Sequence, residues 1–247
     1  MVNLDLCITY RCNQSCPNCV EFCGRKDITG LDYSDSDMTM EQIDQFCAQI
    51  SATRPPLETL SITGGEPLLH PHLEEIVDRL DELRRDGCFT YMVVNSNKTI
   101  QPSAKIRPYI FNISEPKDNP QIHHCAFIHP SELGAGRHTY RACQHHRKPT
   151  VVLSYLGYSV CCAGDAYIRL FGYADLISNE FPLSAPAGMD KVCQQCPFGS
   201  EALVPFERDQ GCPVSPIYVA EGKKNKRRKR IKARYHWPEH AALMEEA

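Results

Sequence analysis

Cys12, Cys16 and Cys19 stand four and three residues apart on one polar stretch, with Asn13, Gln14, Ser15, Pro17 and Asn18 between them. Three sulfurs so spaced on a loop can form a tight thiolate cage. Thiolates are soft ligands, and clustered ones in a reducing compartment point to a metal ion or an iron–sulfur cluster rather than to disulfides. A cubane held by three protein thiolates keeps one iron free to hold a substrate or cofactor. The alternative is a structural zinc site completed by Cys23, because zinc takes four-cysteine cages at similar spacings. The loop alone leaves both open.

A second stretch with chemical content is Gly64-Gly65-Glu66-Pro67. Two glycines let the backbone approach a ligand closely and adopt positive φ, and the carboxylate that follows can receive an ammonium group. A third is Cys143, Gly157, Cys161-Cys162 and Cys193-Gln-Gln-Cys196.

Residues 3–10 read as a strand with Leu4, Leu6 and Ile8 on one face, and the cysteine loop follows it. Residues 24–38 read as a loop. Thr39 caps a helix, with Gln42 at the capping-box position and Ile43, Phe46, Cys47 and Ile50 forming its apolar face. Pro55-Pro56 stops it. Leu57–Thr63 reads as a second strand ending in the Gly-Gly-Glu-Pro turn, followed by a helix on Leu73, Ile76, Val77, Leu80 and Leu83 that Gly87 ends. Thr90–Asn95 and Tyr109–Ser114 read as strands three and four, and Cys125–His129 as a fifth. Strands alternating with helices predict parallel β/α units, in which ligands sit at the carboxyl ends of the strands. The cysteine loop, the Gly-Gly-Glu-Pro turn, Asn95-Ser96-Asn97 and Ser114-Glu115 all fall on that rim.

A three-cysteine loop after the first strand and Gly-Gly-Glu-Pro after the second, in that order, resemble the radical S-adenosylmethionine superfamily over about residues 3–115. The resemblance implies a partial parallel (β/α) barrel of five to six strands. It also implies a 4Fe–4S cluster on Cys12, Cys16 and Cys19, with S-adenosylmethionine chelated to its open iron. Gly64, Gly65 and Glu66 match the turn that binds the methionine ammonium, while Asn95 and Ser114 stand where the family contacts the cofactor. Two departures concern the adenine side: Asn18 replaces the aromatic residue common before the third cysteine, and Asn95-Ser96-Asn97 replaces the common Thr-Asn-Gly.

The later cysteines resemble the short auxiliary-cluster extension called twitch, a truncated SPASM domain. Thr150–Leu156, Gly157 and Tyr158–Cys162 read as a hairpin with glycine at the turn. Strand alternation would let only one of Cys161 and Cys162 ligate, and the Gly157-x4-Cys162 spacing favours Cys162. Cys143, Cys162, Cys193 and Cys196 would then close all four irons of a second 4Fe–4S cluster, suited to electron transfer. A zinc knot on the same ligands is the alternative, and Cys212 could replace one of them. The implied organisation is a barrel over residues 1–140, an auxiliary domain over 141–215 and a basic, flexible tail over 216–247.

Composition narrows the partners. The 247 residues include 14 cysteines and carry a net charge of −3. No apolar run is long enough for a membrane span, and the N-terminus lacks a signal-peptide layout, so the expected location is the cytoplasm. Eight of the 27 basic residues lie between Lys223 and Lys232, so the rest of the chain carries 19 basic against 30 acidic residues, or −11. An acidic body with a basic tail signals an anionic partner. The expected activity is hydrogen abstraction from a substrate, with a base or base-appended group in nucleic acid as the leading candidate. A small-molecule or peptide dehydrogenase or maturase is the alternative, and a zinc-stabilised nucleic-acid-binding protein is the reading from another class. An external flavodoxin- or ferredoxin-like donor would supply electrons. His123-His124, His145-His146, Glu115 and Asp165 are candidate general bases that the sequence does not rank.

Overall fold

The computed structural model describes residues 2–111, 123–124, 127–132, 143, 150–182, 189–199, 205–206 and 213–225. Strand β1 (Val2–Thr9) runs between two parallel neighbours, β2 (Leu57–Gly64) and β5 (Thr150–Ser154). Strand β3 (Tyr91–Val94) extends the parallel set beyond β2, and β6 (Gly157–Val160) closes the other edge antiparallel to β5. The order is β3-β2-β1-β5-β6, a five-stranded, mostly parallel sheet. From Leu6 to Thr9 every residue of β1 is buried, as befits a central strand covered on both faces.

Helices α2 (Met40–Thr53) and α3 (Leu73–Arg85) cover one face. Ile43, Phe46, Ile50, Ile76 and Leu80 pack there on Leu4, Leu6, Ile8, Leu60 and Ile62. Thr39 caps α2 in both directions: its hydroxyl accepts from the Gln42 N–H at 3.2 Å, and its own N–H donates to Gln42 Oε1 at 3.1 Å. That capping box was legible in the sequence.

The other face carries what the sequence read less well. A one-turn helix α1 (Lys26–Thr29) interrupts the expected loop over 24–38. The hairpin forms, but its turn is Tyr155-Leu156, with Gly157 at φ +128 as the first residue of β6. It also joins the main sheet beside β1, although the sequence reading put it in a separate C-terminal unit. The expected strand Tyr158–Cys162 stops at Val160, because Cys161 caps helix α4 (Cys162–Phe171). Helices α5 (Met189–Cys193) and α6 (Pro216–Asn225) complete this side, α6 extending into the region expected to be a flexible tail. Asn225 fixes α6 in place by donating to the carbonyls of Thr29 (3.1 Å) and Leu170 (2.8 Å).

Two expected strands differ. Arg107–Tyr109 is a 3-10 turn and Ile110 makes one isolated parallel bridge to Val94; residues 112–114 lie outside the described residues. Phe127–His129 is irregular, and a two-residue strand β4 (His123–His124) pairs antiparallel with β7 (Pro205–Phe206) instead. No helix among the described residues is long and apolar enough to cross a membrane.

Candidate functional site

Because β1, β2 and β3 are parallel, their carboxyl ends form one rim. Thr9 pairs with Gly64 at that rim, and the cysteine loop and the Gly64-Gly65-Glu66-Pro67 turn leave it side by side. The Gly65 N–H donates to the Thr9 carbonyl (2.8 Å) and the Glu66 N–H to that of Arg11 (2.9 Å). These contacts explain the two glycines. A Cβ on Gly64, at φ +142, would stand 2.0 Å from Thr9 O, and one on Gly65 would stand 2.2 Å from Arg11 O. The close approach the glycines permit is to the base of the cysteine loop.

Glu66 is fully buried, and its carboxylate faces the end of β3. It accepts from the N–H groups of Leu68 (2.9 Å) and Asn97 (2.8 Å) and from the Ser96 hydroxyl (3.0 Å). Its side chain therefore binds the second strand end to the third. Asn95 is exposed beside them, its N–H donated to Ile62 O, while Ser114 and Glu115 lie outside the described residues.

The three loop sulfurs differ. Cys16 is exposed; Cys12 and Cys19 are half-buried. Burial pushes the Cys12 thiol up, against a hydrogen bond from the Gln14 N–H at 3.4 Å. A hydrogen bond with the Cys23 thiol, ahead of opposing burial, brings Cys19 down to about 7. Cys23 itself is 1% exposed and packs with Cys7, Tyr10 and Tyr33, its thiol beside that of Cys19. Among the described residues no three His, Cys, Asp or Glu side chains converge as ligands of a single ion. Three thiols on one loop, one of them open to solvent, suit a cubane, whose thiolates attach at separate corners.

Beneath the loop lies a buried ionic knot that the sequence reading missed. Arg169 on α4, 2% exposed, donates to Asp165 (2.9 Å), the Tyr33 hydroxyl (2.6 Å) and both the carbonyl (2.8 Å) and carboxylate (3.2 Å) of Glu21. Its guanidinium sits 3.8 Å from the centre of the Tyr10 ring. Asp165 also accepts from the Tyr10 hydroxyl and from Ser159. A carboxylate so enclosed is a structural anchor, which removes Asp165 from the candidate bases. The signal available in the sequence was the Asp165/Arg169 spacing of i, i+4.

Beside the expected second group of Cys143, Cys162, Cys193 and Cys196 stands a further sulfur, that of Cys161. Cys161 occupies the left-handed region at φ 46, and its sulfur accepts from the Gly164 N–H at 3.2 Å. Its thiol is pushed up first by burial and then by Cys196, with Cys143 and Cys193 acting in the same direction. Burial likewise pushes Cys193 up to about 11, with Cys143 its next cause. Cys161, Cys193 and Cys196 share one packed cluster. Cys162 packs against the core of Cys7, Tyr10 and Cys23; after burial, Glu21 is the largest influence on it, and it acts in turn on Cys196. The alternation argument fails because the pair lies at a helix cap, not along a strand. Cys212 and Cys125 lie outside the described residues, as do His145 and His146.

Residues 6–109 match the family model described as Radical SAM superfamily. That stretch is similar to a radical SAM domain. That family implies a 4Fe–4S cluster and S-adenosylmethionine. Two curated proteins are similar over 83 residues, 34% of this chain. One is the "Probable GTP 3',8-cyclase" of Methanothermobacter marburgensis, 31% identical over 24% of its own length. The other is the "GTP 3',8-cyclase" of Synechococcus sp. (strain CC9605), 37% identical over 21% of its length. The chain thus matches less than a quarter of either relative's length.

Proposed function

We propose that the chain is a radical S-adenosylmethionine enzyme that takes a hydrogen atom from its substrate. The observation that carries this is the pairing of the Cys12–Cys19 loop with the Gly-Gly-Glu turn at one rim, inside the matched domain. When bound, a 4Fe–4S cluster and S-adenosylmethionine supply a 5′-deoxyadenosyl radical. Cys12, Cys16 and Cys19 would hold the cluster. Gly64, Gly65 and Glu66, with Asn95 further along the rim, would line the cofactor, and Ser114 is expected from the sequence to join them. Because the Glu66 carboxylate is engaged by Leu68, Ser96 and Asn97, the turn would offer its backbone. An external flavodoxin- or ferredoxin-like protein would donate the electron.

Cys143, Cys161, Cys193 and Cys196, with Cys162 as the alternative to Cys161, are the ligand set for a second 4Fe–4S cluster; the enclosure shared by Cys161, Cys193 and Cys196 and the influence of Cys143 on them support this reading. Four thiolates leave no open iron, which suits electron transfer. The substrate is read as phosphate-bearing. The basic run from Lys223 favours a base or base-appended group in nucleic acid, whereas the relatives' printed names favour a nucleotide.

The test is anaerobic reconstitution followed by iron and sulfide analysis. Removing Cys12, Cys16 and Cys19 together should lower iron by about half and abolish reductive cleavage of S-adenosylmethionine to deoxyadenosine. Removing the second set should lower iron by about half again. A wild-type chain that holds zinc alone would end the proposal. A DNA or RNA oligonucleotide and GTP, each tried over a salt series, separate the two substrates: loss of binding with salt on removal of residues 223–234 favours the polymer.

A further inference from the structure

The geometry points to Asn97 as the residue that sets the reduction potential of the N-terminal cluster, by donating its side-chain N–H to the Cys12 sulfur. This rests on the reading of Cys12 as a cluster ligand. The Asn97 Nδ2 lies 3.8 Å from Cys12 Sγ and 2.9 Å from Asn13 Oδ1. Which end of the amide faces the sulfur is decided by its other end: Asn97 Oδ1 accepts from the backbone N–H of Thr99 at 3.0 Å and from the Thr99 hydroxyl at 2.5 Å. A backbone N–H can only donate, so the oxygen must face Thr99 and the NH2 group must face Cys12.

The rest of the network holds this amide in place. The Asn97 N–H is fixed on Glu66 Oε2 at 2.8 Å, and Ser96 donates to the same carboxylate. Glu66 is immobile in turn, fully buried and tied to Leu68. The second strand's turn therefore aims a donor from the third strand's loop at a sulfur on the first. Hydrogen bonds to cluster sulfurs stabilise the reduced form, which carries one more negative charge, and so raise the potential. Only the Gln14 N–H makes a comparable contact with Cys12 among the described residues, and it is backbone. Asn97 is thus the side chain through which the potential is adjustable.

The experiment is an electron-paramagnetic-resonance redox titration of reconstituted full-length chain, wild type against Asn97→Asp and Asn97→Ala, in the background lacking Cys143, Cys161, Cys193 and Cys196. Aspartate keeps the acceptor for Thr99 and replaces the donor with an oxygen. At a fixed poise its reduced-to-oxidised ratio should fall about tenfold, which for one electron is about 59 mV to more negative values. Alanine should shift in the same direction by less. Thr99→Val and Asn13→Ala, which loosen the same network without touching the sulfur, should lower thermal stability and leave the midpoint within about twofold in ratio. Unshifted midpoints in both Asn97 variants, or loss of iron from both, overturn the inference. Full retention of iron by Cys12→Ala instead removes the ligand reading beneath it, so the two failures are distinguishable.

Discussion

The two cysteine regions differ in what surrounds the sulfur. In the N-terminal loop the neighbours are polar: the Gln14 N–H, the Asn97 amide and the Cys23 thiol, with Cys16 exposed. In the C-terminal group enclosure dominates: Cys161 Sγ accepts only from the backbone N–H of Gly164 among the described residues, Met189 and Val192 pack beside that glycine, and Cys196 is buried. Polar, accessible sulfurs leave room for a small molecule to reach the metal and for hydrogen bonds to adjust it. Enclosed sulfurs keep a small molecule out, so a centre held there would exchange electrons rather than ligands. The same element serves each: α4 carries Cys161 at its cap and, two turns on, Arg169 beneath the other loop.

The largest effect that would break this contrast is an exchange of roles between Cys161 and Cys162. Cys161→Ala should lose the second group's share of iron, roughly half the total, while Cys162→Ala should keep it. Iron per chain and the visible absorbance of the reconstituted protein measure both. If Cys162→Ala loses the iron and Cys161→Ala retains it, the C-terminal group reaches into the N-terminal region and the contrast dissolves.

Next in size is the tether between the regions. Arg169→Met leaves Asp165, at 1% exposure, and Glu21 without their cation. Removing one partner of a buried pair costs about 3–5 kcal/mol, read by chemical denaturation. Because Glu21 follows Cys19 by two residues, the variant should also lose iron preferentially from the N-terminal loop. Loss in equal measure from both groups would mean that α4 supports the two alike.

The part of the molecule that matches the family model was largely legible from sequence. Leu4, Leu6 and Ile8 gave β1, and Thr39 with Gln42 gave the start of α2, because each signal is local. The rim followed from strand order alone. What escaped notice depends on contacts distant in sequence: Glu66 with Asn97 across 31 positions, and Arg169 with Glu21 across 148. The stretch at Cys161 and Cys162 was read as strand for a narrower reason. The apolar run before them continues a strand pattern, and nothing in the composition announces a left-handed cysteine that starts a helix. The hairpin was recognised, but its partner was not: pairing of β5 with β1 closes a span from Asn3 to Thr150 that periodicity does not report.

The smallest expected effect is on pH dependence, and it places an acid-sensitive join in the N-terminal region. His70 is 4% exposed; its Nε2–H donates to Met38 O at 2.9 Å, while its Nδ1 accepts from the His72 N–H at 3.2 Å. The acceptor role requires a neutral ring, so protonation breaks that bond. Burial lowers its pKa below the ordinary 6.5; Asp37 opposes this, and His72 and Arg11 assist it. The unfolded chain therefore takes up the proton first as pH falls. Stability is full above 6.5 and is lost as pH drops from there through the folded-state value, with a slope of at most about 1.4 kcal/mol per pH unit. Denaturant midpoints from about pH 7.5 to 5 should decline in wild type and decline less in His70→Gln, whose amide can still donate to Met38. Parallel curves would show that some other group carries the acid sensitivity and that this join is indifferent to protonation.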